Sequence, residues 1–227
     1  IFVLIFVPCA MEKKTAAIFL AHINPLTISH ETIIKNLLRN YSVYIFPVRF
    51  LKNNLEVNTR SFPFSYEIRK QMILESFEFN EHIHVHGDYA FHSPYLQYFP
   101  PFVSPAFKKL KNKIMINIQE NSFITYTGDR AERVLLSIFG FNPVKASRQV
   151  ISSTNVKNLL YNSVVQQQND LSDHNRYNQD EVRWNDFVSP KVMEVIKKNW
   201  ETIRAFSISK DETIRVMGMK FPKNGFI

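Results

Sequence analysis

Cysteine is almost missing: Cys9 is the only one in 227 residues. An internal disulfide framework and a cysteine-built zinc site are therefore excluded, and a reducing, cytoplasmic setting is expected. Glycine is scarce too, at five, which argues against a dinucleotide-binding protein that relies on glycine loops. No apolar run approaches the roughly 20 residues a membrane helix needs. The wholly apolar Ile1 to Val7 is far too short and has no basic segment before it, unlike a signal peptide. Met11-Glu12-Lys13-Lys14 reads as a natural start. Residues 1–14 are therefore expected to be an N-terminal extension, with residues 1–10 foreign to the native chain or, alternatively, a truncated signal peptide. Coiled-coil heptads, a Nudix helix and solenoid repeats are also missing.

What is present fits one globular α/β domain: 45% apolar residues, 21% charged and twenty phenylalanines, the last predicting a core rich in aromatics. The formal charge of +8 suits an anionic partner. The basic residues are scattered and no nucleic-acid-reading motif accompanies them, so a small nucleotide is the better fit.

Hydrophobic periodicity predicts strands alternating with helices. Ala16 to Ala21 is a strand, followed by a helix that buries Ile33, Ile34, Leu37 and Leu38. Ser42 to Val48 is a second strand that ends at Pro47. Ser65 caps a helix reaching Phe79, with Arg69 near its start as a candidate phosphate ligand. His82-Ile83-His84-Val85-His86 alternates as a third strand with its histidines on one face. No carboxylate or cysteine cluster accompanies them, so no metal site is assigned. Ala90 to Val103, rich in proline and aromatics, is expected to be a loop. Its rings either stack on a bound base or pack on the domain. Ser104-Pro105 opens another helix, Phe123 to Thr127 is a strand, and Val144 to Ile151 is the last core strand. Gln166 to Asp180 reads as a loop, and Ser207 to Ile227 carries no usable signal. The fold class expected is α/β: a Rossmann-like parallel sheet with helices on both faces, over residues 15–161, and a small helical C-terminal part, residues 162–227.

Chemistry concentrates at the junctions between strands and helices. A helix N-terminus offers unpaired amides and the positive end of a dipole, which suits an anion. Thr27 and Ser29 are good cap residues and His30 falls in the first turn. A hydroxyl, an imidazole and free amides therefore converge there. The stretch Ala21-His22-Ile23-Asn24-Pro25-Leu26-Thr27-Ile28-Ser29-His30 resembles the G-x-F-x-P-x-(H/T)-x-G-H signature of a nucleotidyltransferase superfamily. Members of that superfamily adenylylate or cytidylylate small phosphomonoesters. Pro25, Thr27 and His30 match, Asn24 is a common variant, Ala21 and Ser29 replace glycines, and Ile23 replaces the aromatic.

At a second junction, Asp129 can accept ribose hydroxyls, and Arg130 and Arg133 can reach phosphates. The superfamily has a Gly-Asp element at this point, matched by Gly128 and Asp129. Further on, Ile151-Ser152-Ser153-Thr154-Asn155-Val156-Lys157 resembles a second signature, I-S-(S/A)-T-x-(I/V)-(R/K), at a helix N-terminus. Trp184 to Pro190 is similar to the W-x-x-x-V-P segment of archaeal-type nicotinamide mononucleotide adenylyltransferases, with Ser189 inserted.

The resemblance implies an enzyme that transfers the AMP moiety of ATP to nicotinamide mononucleotide, giving NAD and pyrophosphate. It assigns catalysis to His30, Thr27 and Lys157, and nucleotide binding to Ala21, His22, Ile23, Gly128, Asp129, Arg130, Ile151, Ser152, Ser153 and Thr154. Trp184 and Tyr126 are left for the acceptor. Mg2+ is expected to arrive with ATP, because few fixed carboxylates are available. Two alternatives stand beside it. One is adenylyl or cytidylyl transfer to phosphopantetheine or a flavin nucleotide. The other is a degenerate nucleotide-binding protein without turnover, motivated by the lost glycines. Homo-oligomer formation is left open, and no membrane partner is expected.

Overall fold

The computed structural model describes residues 15–127, 133, 136, 137, 140–145, 152–169 and 182–227. The first half contains β1 (Thr15–Ala21), α1 (Ile28–Leu38), β2 (Ser42–Pro47), β3 (Arg49–Lys52), β4 (Leu55–Glu56), α2 (Tyr66–Ser76), β5 (Ile83–Val85) and β6 (Ala90–His92). There follow α3 (Pro105–Ile116), β7 (Ser122–Thr127), β8 (Pro143–Lys145) and α4 (Ser153–Asn169). The last elements are α5 (Pro190–Lys198), α6 (Trp200–Ser207), β9 (Thr213–Val216) and β10 (Met219–Pro222).

The central sheet has the order β5-β2-β1-β7-β8, and every pairing in it is parallel. This is the expected Rossmann-like α/β architecture. The alternation of β1 explains its central place. Ala17 and Phe19 face one core, with Ile34 of α1, Met72 of α2, Val156 of α4 and Val195 of α5. Ala16, Ile18 and Leu20 face the other, with Phe107 and Leu110 of α3. Both faces are covered, so the strand is apolar throughout. The caps read from sequence are in place: Thr27, Ser65 and Ser104 each accept a helix N–H, and Pro105 occupies the first turn of α3.

Two expectations need correction. The proline- and aromatic-rich segment after Ala90 is not simply a loop, and of the two uses expected for its rings it shows packing on the domain. It forms β6 and a short 3-10 turn (Tyr95–Tyr98), and Phe91, Tyr95 and Tyr98 are buried in the second core. The last core strand expected from sequence is present as β8 at Pro143–Lys145, and residues 146–151 lie outside the described residues. The C-terminal part is not purely helical either, because β9 and β10 pair as an antiparallel hairpin. Its turn, Met217-Gly218, has φ of 49° and 85°, the left-handed pair that a two-residue hairpin connection needs.

The aromatic segment and the hairpin belong together. Phe221 on β10 is fully buried, with ring centroids 5.3 Å from Phe50, Phe91 and Phe99. Backbone hydrogen bonds from Tyr95 and Leu96 to the carbonyls of Gly225 and Phe226 fasten the chain end over the same socket. Phe221→Ala is expected to cost about 3–5 kcal/mol in a urea unfolding curve, the usual range for an emptied aromatic site. A loss below about 1 kcal/mol contradicts this anchoring role.

Candidate functional site

The chain winds from β1 outward through β2 and β5, then returns to the other side of β1 with β7 and β8. The carboxyl ends of β1 and β7 therefore flank the switch point of the sheet, where α/β folds form a ligand crevice. A cleft of about 360 Å³ opens there, within the roughly 300–1,000 Å³ usual for small-molecule sites.

The turn leaving β1 shapes its floor. Ile23 has φ of 44°, a left-handed conformation that costs a β-branched residue about 1–3 kcal/mol. Its neighbours hold it there. Asn24 donates to the Phe64 carbonyl at 2.9 Å and accepts from the Phe64 N–H at 3.2 Å. Arg69, almost fully buried, donates to the His22 carbonyl at 2.9 Å and to the Val48 carbonyl at 2.7 Å. Its other donors meet Glu56 at 2.8 Å and the Ser65 carbonyl at 3.3 Å. Arg69 is thus spent on the turn and is not a phosphate ligand.

Two bonds from α4 complete the clamp. Lys157 Nζ donates to the Asn24 carbonyl at 2.9 Å, and Ser153 Oγ to the Pro25 carbonyl at 3.0 Å. The two signature-like stretches, far apart in sequence, therefore touch. At the start of α1, the Thr27 N–H donates to His30 Nδ1 at 3.2 Å, and Thr27 Oγ1 lies 3.0 Å from the same nitrogen. An N–H can only donate, so Nδ1 is an acceptor and the neutral ring carries its proton on Nε2. His30 lines the cleft, so that Nε2–H is the donor available to a ligand.

Of the residues selected from sequence, Ala21, His22, Ile23, His30, Tyr126, Ser153, Thr154 and Lys157 line this one cleft. Thr27 does not. It is fully buried and caps α1, so it positions His30 and is not placed to touch a phosphate. Ser152 caps α4 by accepting from the Asn155 N–H at 3.3 Å and does not line the cleft. Trp184 is also outside it, packed in the core with its ring centroid 6.0 Å from Trp200, because its indole supplies area between helices. Gly128, Asp129, Arg130 and Ile151 lie outside the described residues.

Sequence reasoning missed Ser61, Phe62, Arg215 and Lys220, which also line the cleft. Phe62 stacks on His22, with centroids 4.7 Å apart. A signal for the hairpin existed in Met217-Gly218 between alternating residues, whereas nothing local marks Ser61 or Phe62.

No aspartate or glutamate lines the cleft among the described residues, while Lys157, Arg215 and Lys220 do. Burial, then repulsion from Lys220, draws the Lys157 ammonium down to about 7. Burial, then Lys157, lowers His30 to about 4 and, with Arg69 and Lys220 adding, His22 to about 3. Both imidazoles are neutral at pH 7 and the site is short of negative charge, a condition an anionic ligand relieves. The lining offers no carboxylate to a divalent cation, so these residues do not form a Mg2+ site. Among the described residues no group of three or more His, Cys, Asp or Glu is placed to hold a metal, and no helix is long and apolar enough to cross a membrane.

No family model matches the sequence, and no curated protein matches it. Solved structures do match in fold. One is a bifunctional NMN adenylyltransferase/ADP ribose pyrophosphatase from Francisella tularensis, with a TM-score of 0.53 at 12% identity over 88% of this chain. The chain spans 58% of that protein's length. Another, provisionally named a nicotinate-nucleotide adenylyltransferase, is from Vibrio parahaemolyticus. It has a TM-score of 0.51 at 14% identity, over 84% of this chain and 96% of the other. At such identities the likeness is one of fold.

The lowered histidines predict how stability depends on pH. Between the unfolded value near 6.5 and the folded values, the unfolded chain binds the protons and the folded chain does not. Their contribution to stability is therefore complete above pH 6.5. It is lost as pH falls toward about 4 for His30 and about 3 for His22. Urea midpoints measured from pH 7 to pH 4 are expected to fall, and His30→Gln to flatten part of that fall. A variant with the full wild-type slope contradicts the burial of a neutral His30.

Proposed function

We propose that the protein transfers the adenylyl group of ATP to a phosphomonoester, with nicotinamide mononucleotide as the acceptor. One observation carries this reading: His30 at the start of α1 and Ser153, Thr154 and Lys157 at the start of α4 line a single cleft, with no acidic side chain in its lining among the described residues, at the switch point of the sheet. The fold shared with two proteins named as adenylyltransferases supports it.

In the reaction, an acceptor phosphate oxygen attacks the α-phosphorus of ATP. The bond to the bridging oxygen breaks and pyrophosphate leaves with that electron pair. No covalent intermediate is required, so the protein contributes position and charge. His30 Nε2–H donates to the α-phosphate oxygens as charge grows on them. The first amides of α4, the hydroxyls of Ser153 and Thr154, and the free donors of Lys157 hold the departing pyrophosphate. Mg2+ would arrive with ATP and supply charge neutralisation of the triphosphate, since no carboxylate among the described lining residues would hold it.

The substitutions at the glycine positions do not obstruct this. Ser29, in the first turn of α1, is buried and is not part of the lining, while Ala21 adds only a methyl group to the wall. The reading with an inert pocket is therefore the weaker one. The archaeal subtype rests on the Trp184 segment alone, which makes no contact with the cleft.

The test is formation of NAD and pyrophosphate from ATP, nicotinamide mononucleotide and Mg2+. Phosphopantetheine and flavin mononucleotide serve as rival acceptors and CTP as a rival donor. His30→Ala is expected to lower kcat by about 10²–10³, the usual loss of one well-placed donor. Unchanged turnover removes His30 from the mechanism. ATP binding without pyrophosphate release from any acceptor means the pocket is inert.

A further inference from the structure

The C-terminal hairpin occupies a wall of the cleft opposite in origin to both helix N-termini. Arg215 of β9 and Lys220 of β10 line it, and neither belongs to a stretch that resembles a signature. The hairpin cannot drift, because Phe221, the next residue, is sunk in its aromatic socket. Lys220 itself is held from the other side: its Nζ donates to Ser61 Oγ at 2.8 Å and to Asp211 Oδ2 at 3.3 Å. Asp211 in turn accepts from Ser61 Oγ at 2.8 Å and from Thr213 Oγ1 at 3.1 Å. Burial works against its charge, but the bonds from Ser61 and Lys220 outweigh it and keep the carboxyl below its usual range. Two donors of the Lys220 ammonium are thus occupied and one is left for the cleft.

The surroundings of that donor differ from those of Lys157. Ser61, its partner, is followed by Phe62, whose ring stacks on His22 in the cleft wall. A fixed cation beside a flat aromatic pair suits a mononucleotide-sized molecule with one phosphate and one ring. A chain of phosphates instead suits the two helix N-termini and Lys157. Charge gives the same division. An adenylyl transfer brings two anions into contact, and the repulsion between them must be offset from both sides. Lys157 and His30 are assigned to the triphosphate, and the cations left among the described lining residues are Arg215 and Lys220 of the hairpin.

We propose that the C-terminal hairpin supplies a second anion subsite, centred on Lys220 with Arg215 beside it, that binds the phosphate of the acceptor phosphomonoester. This rests on the two-substrate reading above.

Calorimetric titration with two probes separates the two ideas. The first probe is α,β-methylene-ATP, which cannot transfer its adenylyl group; the second is nicotinamide mononucleotide added to the analogue-loaded protein. Lys220→Gln keeps a hydrogen-bonding group for Ser61 and removes the charge. It is expected to weaken mononucleotide binding tenfold or more and analogue binding less than threefold, with Lys220→Arg recovering most of the loss. A thermal melt on each variant confirms the fold. Unchanged mononucleotide affinity, or equal losses for both probes, overturns the subsite. If the wild type takes the analogue but neither the mononucleotide nor inorganic phosphate, the subsite falls and a nucleotide pocket remains. If it refuses the analogue yet binds inorganic phosphate through Lys220, the subsite stands and the transferase reading falls. Binding of none of these probes overturns both.

Discussion

A buried ammonium on a backbone carbonyl holds this site together. Lys157 sits one turn into α4 and donates to Asn24, in the turn that leaves the central strand. An ammonium is costly to bury without a partner, so the bond fixes α4 against β1. Ser153 adds a second bond to the next carbonyl, that of Pro25. From these two contacts follows the placing of His30, in the first turn of the helix after the same turn, in one cleft with Thr154. The strained Ile23 backbone is tolerable for the same reason: its neighbours are tied on every side, by Arg69, Phe64 and Lys157.

The clamp has an electrostatic consequence. Lys220 repels the Lys157 ammonium, no acidic side chain lines the cleft among the described residues, and Asp211, 3.3 Å from Lys220, offsets part of the charge. The protein relieves this strain by keeping its histidines neutral and by easing the Lys157 proton. A bound anion would offset the repulsion, though not the burial that is the larger cause of these shifts.

Much of this was legible in the residues. Period-two and helical spacings located β1, β2, α1, α2 and α3, and the caps at Thr27, Ser65 and Ser104 marked where helices begin, because these signals are local. The partners of His30 across the cleft were legible as well, since Ser153, Thr154 and Lys157 sit at a recognisable helix start. Other features depend on distance in the chain. Trp184 carries the same aromatic signal whether it stacks on a ligand or on Trp200, and only packing decides. Arg69 reads as a free cation until Glu56 and the carbonyls of His22 and Val48 surround it. The segment from Phe91 to Tyr98 has the proline content of a loop and the burial of a core, because its rings wait for Phe221 more than a hundred residues later. Lys220 could not be chosen from sequence at all: its role arises from where that socket puts the hairpin.

The central claim is spatial, that two distant loops grip one triphosphate. The most direct measurement is a crystal structure of the protein with a non-transferable ATP analogue. The account predicts phosphate oxygens within hydrogen-bonding reach of both His30 Nε2 and the hydroxyls of Ser153 or Thr154, in one cleft with Lys157 beneath them. An analogue bound elsewhere, or touching only one of the two loops, contradicts it.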